Sequence, residues 1–125
     1  LYVGVGLRSL DADDEHYQGV YQGNLKKRDH AYHQGTAWAF LLGAFIEAYL
    51  KTGGYSRQTI DEARKMLEPV KNHLLDTCVG SISEIFDGDE PHRPRGCFAQ
   101  AWSVGEVLRV NRECIRREQD LGEDK

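Results

Sequence analysis

Long apolar runs are absent from this sequence; the most extended, Ala37 to Ile46, is ended by Glu47. A bilayer needs about 20 apolar residues in a row, so no segment reads as a membrane span, and no secretory leader pattern is present. Cysteine is scarce: Cys78, Cys97 and Cys114 are odd in number and form no CxxC pair. That argues against a disulfide framework or a zinc site and for reduced thiols in a cytosol. Neither sign of charge dominates. With 16 basic and 20 acidic residues the net charge is -4, and no basic block exceeds Lys26–Arg28. Such a balance gives no electrostatic footprint for nucleic acid or anionic lipid. Internal repeats and low-complexity segments are missing too. The first residue is Leu1, not Met, and the chain is expected to be a piece of something longer.

What is present is organised around Arg28 to Leu50, RDHAYHQGTAWAFLLGAFIEAYL. Its opening is polar (Asp29, Tyr32, His33, Gln34, Thr36) and its continuation is apolar on every side of a helical wheel. A helix apolar all round must be covered all round. The pattern predicts one inner helix from about His33 to Lys51, stopped at Gly53-Gly54, with a polar mouth as the place to look for a site. At 125 residues there is room for one domain.

Before this stretch, Leu1 to Leu10 reads as extended, and Asp11 to Asn24 as an acidic, turn-rich loop anchored by Tyr17 and Tyr21. After it, a second helix is expected near Ser56–Thr59, with Thr59 and Glu62 forming a capping box. Ile60, Ala63, Leu67, Val70 and Leu74 make an amphipathic stripe, and Pro69 within it should bend or split the helix. Gly80 to Arg95 reads as a loop and Phe98 to Arg117 as a third helix, with a tail from Glu118 that frays. The order is inner, outer, inner. Two helices cannot cover a third all round, so either helices outside this sequence or self-association through Trp38, Leu42 and Phe45 should complete the cover.

Each candidate site has two readings. His33, Gln34, Thr36 and Trp38 lie within about one and a half turns, at ~1.5 Å of rise per residue. They can orient a polyol, with the indole against a pyranose face, or they can be a helix cap with a buried Trp. Glu84, among Ile82, Ile85 and Phe86, can be an acid or base tuned by its surroundings, or an ordinary solvated carboxylate. Gln100, Trp102 and Ser103 open the third helix much as HQGTAW opens the first. Asp87, Asp89 and Glu90 lack the later ligands of a calcium loop and read as a turn. A Cys97–His33 hydrolase lacks an orienting third group. His16, His30, His73 and His92 show no ligand spacing and read as surface or loop residues.

Taken together, RDHAYHQGTAW, LLGAFIEAYL, SISEIFDGDEPHRPRGC and AQAWSVGEVLR, preceded by GLRSLDADDEHYQGVYQGN, resemble the C-terminal part of the amylo-alpha-1,6-glucosidase, or glycogen debranching enzyme, family. The likeness covers most of residues 4 to 110. It implies an all-α fold, a C-terminal fragment of an (α/α)6 barrel with about three main helices and long loops, forming a single partial domain over residues 1–125. It implies hydrolysis of alpha-1,6-glucosidic branch linkages with inversion, in the cytoplasm, on glycogen or a related branched alpha-glucan, with no metal or organic cofactor. Through it Glu84 is the catalytic general base, and His33, Gln34, Trp38 and Trp102 are substrate-binding. Ala39 stands where the family has Pro. The family's general acid, an Asp on an earlier segment, has no counterpart here, and neither Asp29 nor Asp87 matches its motif. Inversion needs two carboxyls roughly 6.5–9.5 Å apart, so this fragment alone is expected to be inactive. The competing class is a non-catalytic helical module for glucan binding or oligomerisation.

Overall fold

The computed structural model describes residues 1–77 and 79–123, and all but the side chain of Glu123 among them. Cys78, counted above with the reduced thiols, and the last two residues of the expected tail lie outside the described residues. Helices dominate: α1 (Leu25–Gln34), α2 (Leu41–Thr52), α3 (Arg57–His73) and α4 (Ala101–Glu123). Four two-residue strands, β1 (Leu7–Arg8), β2 (Ala37–Trp38), β3 (Ile85–Phe86) and β4 (Pro94–Arg95), form one antiparallel sheet in the order β1-β2-β3-β4. Leu7 faces Trp38, Trp38 faces Ile85, and Ile85 faces Arg95 across it. The fold class is the all-α one expected, with α1 and the small sheet added to the three main helices.

The expected single helix from His33 to Lys51 is instead two helices with a strand between them. Gly35 ends α1 because two other backbones pass against it. A Cβ there would come 2.1 Å from the Gln18 carbonyl oxygen, and a Cβ on Gly88 would come 2.1 Å from the Gly35 oxygen. The Gln34 carbonyl accepts from Gln18 N–H at 2.8 Å, and buried Thr36 turns its hydroxyl onto the Tyr32 carbonyl at 2.9 Å. With those helix-end carbonyls satisfied, Ala37 and Trp38 give their own backbone groups to the sheet.

Within this chain the cover around α2 is incomplete, as expected where only two helices pack around a third. Leu42, Gly43, Ile46 and Leu50 are buried, whereas Ala44 and Ala48 are exposed. In this chain α2 buries one stripe, not its whole circumference. Leu42 is fully buried in the core and Phe45 stacks on Tyr2 at 5.4 Å, while Trp38 is only half-buried, so part of the surface named for self-association is used inside the molecule. The core joins that stripe to Ile60, Ala63, Leu67 and Val70 of α3 and to Val107, Val110 and Cys114 of α4. The α3 residues are those the periodicity named. In α4 the buried row is Ser103, Val107, Val110 and Cys114, while Trp102, Leu108 and Ile115 face outward.

Caps and breaks are explained locally. Asn24 accepts from Lys27 N–H at 3.0 Å to start α1. Ser56, not Thr59, caps α3: its hydroxyl accepts from Thr59 N–H, and Thr59 Oγ1 donates back to the Gly53 carbonyl. Glu62 is occupied by Tyr49 and Gln58 and closes no capping box. The α2 terminus is closed as expected, with Gly54 at φ 61° and Tyr55 N–H reaching the Leu50 carbonyl. Pro69 does not split α3, which runs through it; the ring lies on the surface against Gly4. Residues 118–123, in the segment expected to fray, are helical, and Glu118 pairs with Arg57 and Arg64 of α3. Among the described residues no helix is long and apolar enough to cross a membrane.

Candidate active site

Three chain segments meet where α1 ends, β2 passes and α4 begins, and they bring aromatic rings together. Tyr32, from the last turn of α1, sets its ring edge against Trp38 of β2 at 4.6 Å between centroids. Trp38 in turn meets Phe40 at 5.9 Å and Trp102 of α4 at 6.4 Å, and Phe40 stacks on Trp102 at 4.8 Å and 26°. With His33, Ser9 and Leu41 these rings line an open cavity of about 340 Å³. Trp102 stays about half exposed in spite of these contacts, 48 %. Rings with free faces beside polar groups suit a sugar, whose C–H face packs on an aromatic while its hydroxyls find donors and acceptors.

Glu84 lies on the other side of Tyr32, just before β3. The Tyr32 hydroxyl donates to Glu84 Oε1. The Cys97 backbone N–H donates to Glu84 Oε2 at 2.9 Å, and the Glu84 N–H donates to the Cys97 carbonyl at 2.8 Å. The carboxylate is half-buried and lines a cavity of about 330 Å³ together with Tyr21, Leu25, Arg28, Asp29 and Tyr32. Burial first, then the hydrogen bond to Glu84, pushes the Tyr32 phenol up to about 12, so it is a donor throughout the neutral range.

The loop holding Glu84 is fixed from behind. Ser83 is buried, its hydroxyl 3.1 Å from His73 Nε2, and its N–H points to the same nitrogen at 3.3 Å. His73 is therefore not the surface residue expected; it is buried at the end of α3, with Phe86 edge-on at 4.8 Å. Asp87 is more than a turn residue. It is buried, takes Arg95 Nε and Nη2 at 2.9–3.1 Å, and accepts the Tyr21 N–H at 2.8 Å. Asp89 accepts from the Tyr17 hydroxyl at 2.9 Å. These two carboxylates latch the 17–21 loop onto the sheet, Tyr17 through its hydroxyl and Tyr21 through its backbone N–H, so the loop is anchored at the expected residues by hydrogen bonds besides any packing of their rings.

Of the residues named from the sequence, His33, Trp38 and Trp102 share the aromatic cavity, and Glu84 is one hydrogen bond away through Tyr32. Gln34 lines neither cavity; its carbonyl serves Gln18. Tyr32 and Phe40 were missed as site residues, and only their place in the same motif hinted at them. Asp29 lines the Glu84 cavity from α1. The Cys97 thiol points to the Ala99 carbonyl at 3.4 Å, and among the described residues no hydrogen bond joins it to His33. Nor does any group of three or more His, Cys, Asp or Glu among them come together as metal ligands. A larger polar cavity of about 660 Å³ beside Gln22, Asn24 and Lys27 is lined by no Trp, Tyr or Phe, and its carboxylate, Asp89, is tied to the Tyr17 hydroxyl. The chemistry points to the Tyr32 region. Compared with known families, residues 1–109 match the model described as amylo-alpha-1,6-glucosidase.

Proposed function

This chain belongs to the amylo-alpha-1,6-glucosidase family, and from that premise we propose that it supplies the base half of an inverting glycoside hydrolase acting on alpha-1,6 branch linkages of glycogen or a related cytoplasmic alpha-glucan. In this reading α2 and α4 are inner helices and α3 an outer helix of an (α/α)6 barrel whose other helices lie outside the sequence. The observation that carries it is the half-buried Glu84 carboxylate, held on both oxygens and joined through Tyr32 to the aromatic cavity of Trp38 and Trp102.

The terminal glucose packs on Trp38 and Trp102, with His33 meeting its hydroxyls; Gln34, outside the cavity, takes no part. Glu84 takes a proton from water, whose oxygen attacks the anomeric carbon on the face opposite the leaving oxygen. The anomeric C–O bond breaks, and a carboxylic acid from a segment without a counterpart here protonates the departing oxygen. The products are the shortened glucan and glucose of inverted, beta configuration. No step calls for a metal or an organic cofactor.

In the native polypeptide carrying this chain, Glu84→Gln should lower turnover of a branched alpha-glucan by about 10²–10⁴-fold, the usual weight of a general base. Glucan binding should stay within about threefold, because the amide keeps the shape of the carboxylate. Wild-type turnover in the variant would remove Glu84 from the role. NMR of the first product should detect beta-glucose. Glucan binding without turnover in the wild type would favour the non-catalytic module, which the stack of exposed Trp102 on half-buried Phe40 also fits.

A further inference from the structure

We infer that Tyr32 is a positioning residue, whose hydroxyl fixes the plane of the Glu84 carboxylate and whose ring transmits sugar binding to it. The inference rests on the proposed role of Glu84 and adds to it a residue that no sequence pattern assigned. Three observations carry it.

The first is the clamp. A Glu side chain is loose about its last torsion, and a base with a free rotor presents its lone pairs in many directions. Here each oxygen has one fixed donor: Tyr32 Oη on Oε1 and Cys97 N–H on Oε2. A carboxylate has about four lone-pair sites, so one on each oxygen stays free for water. The donors come from segments far apart in the chain, and their joint direction sets one plane.

The second is the cost accepted to keep the Cys97 donor in place. Gly96, next to it, has φ 67°, where glycine is favoured, and a Cβ there would lie 2.5 Å from Glu84 Oε2. The backbone at residue 96 is bare so that the amide can approach the carboxylate. The third is the place of the Tyr32 ring. It lines both the aromatic cavity and the Glu84 cavity, and among the described residues no other is shared by the two. Trp38 and His33 pack edge-on against it, at 4.6 and 5.2 Å, so a sugar seated on Trp38 presses on the ring that holds the base.

The test is Tyr32→Phe in the native polypeptide, run beside Glu84→Gln. The variant keeps the ring and its packing and removes one hydroxyl. The expected result is a kcat lower by about 10- to 100-fold with KM within about twofold, the signature of a loss felt in the transition state and not in substrate binding. A merely structural tyrosine would lower the melting temperature and leave kcat of the folded enzyme alone. Should the phenylalanine variant fail to fold, 3,5-difluorotyrosine at position 32 keeps ring and hydroxyl but ionises at lower pH. Its kcat should then fall on the alkaline side at a pH where wild type is still fully active. Unchanged kcat in Tyr32→Phe, or an unchanged alkaline limb in the fluorinated enzyme, overturns the positioning role. Wild-type turnover in Glu84→Gln would instead sink the reading beneath it, so the two failures are told apart.

Discussion

Asp87 ties two distant segments together through one buried carboxylate: a guanidinium held through two nitrogens, and the amide of Tyr21 from a loop far away in the chain. Removing one member of a buried ion pair leaves the other without a partner, at a cost of about 3–5 kcal/mol. Arg95 keeps some access to solvent, 28 % of its side chain, which lowers that figure. Asp87→Ala should therefore destabilise by about 2–3 kcal/mol, read from urea unfolding, with the 17–21 loop becoming the first site of proteolysis. A loss under about 0.5 kcal/mol would show the latch to be ornamental. At this scale the sequence is a partial guide. Glu84, Trp38, His33 and Trp102 stand out because a charged or aromatic residue in an unusual neighbourhood is visible in one dimension. Asp87 in an Asp-Gly turn and His73 at a helix end look ordinary until a distant residue reaches them.

Among the elements, α3 and the end of α2 were readable because their signals are local: a stripe of three- and four-residue spacing, and a Gly-Gly stop. The break between α1 and α2 was not. HQGTAWAF continues an apolar pattern without a proline, and what interrupts it is the backbone of Gln18 and Gly88 pressing on Gly35. Two-residue strands have no period to detect, so the sheet left no trace in the pattern. The outward face of α2 gives a test of the barrel. Ala48 is exposed in this chain, and Ala48→Glu should change its stability by no more than about 0.5 kcal/mol. If α2 is an inner helix of a barrel, the same change in the native polypeptide buries a carboxylate and should cost several kcal/mol in a thermal or urea melt. Equal small effects in both settings would leave α2 without neighbours on that side.

For the molecule as a whole, titration gives a collective readout. Tyr17 and Tyr32 are both pushed up to about 12, burial being the larger cause in each, followed by hydrogen bonds to Asp89 and Glu84. The folded state thus holds these protons longer than the unfolded chain, whose tyrosines ionise near the ordinary 10.0. Stability from this source is fully present below about pH 10 and is lost as pH rises through about 12. Urea midpoints should fall across that window, and more shallowly in Tyr17→Phe; parallel curves for the two proteins would place the alkaline loss elsewhere.

The order of the small sheet has a consequence for biosynthesis. Its strands come from residues 7–8, 37–38, 85–86 and 94–95, so it cannot be completed by any run of neighbouring sequence. Chains are made from the N-terminus at about 5–20 residues per second, and pairings between distant segments wait for the later one. A nascent chain that has already delivered Tyr32 and Glu84 still lacks the Cys97 amide. Until the ribosome has passed that residue, the carboxylate is held from one side only.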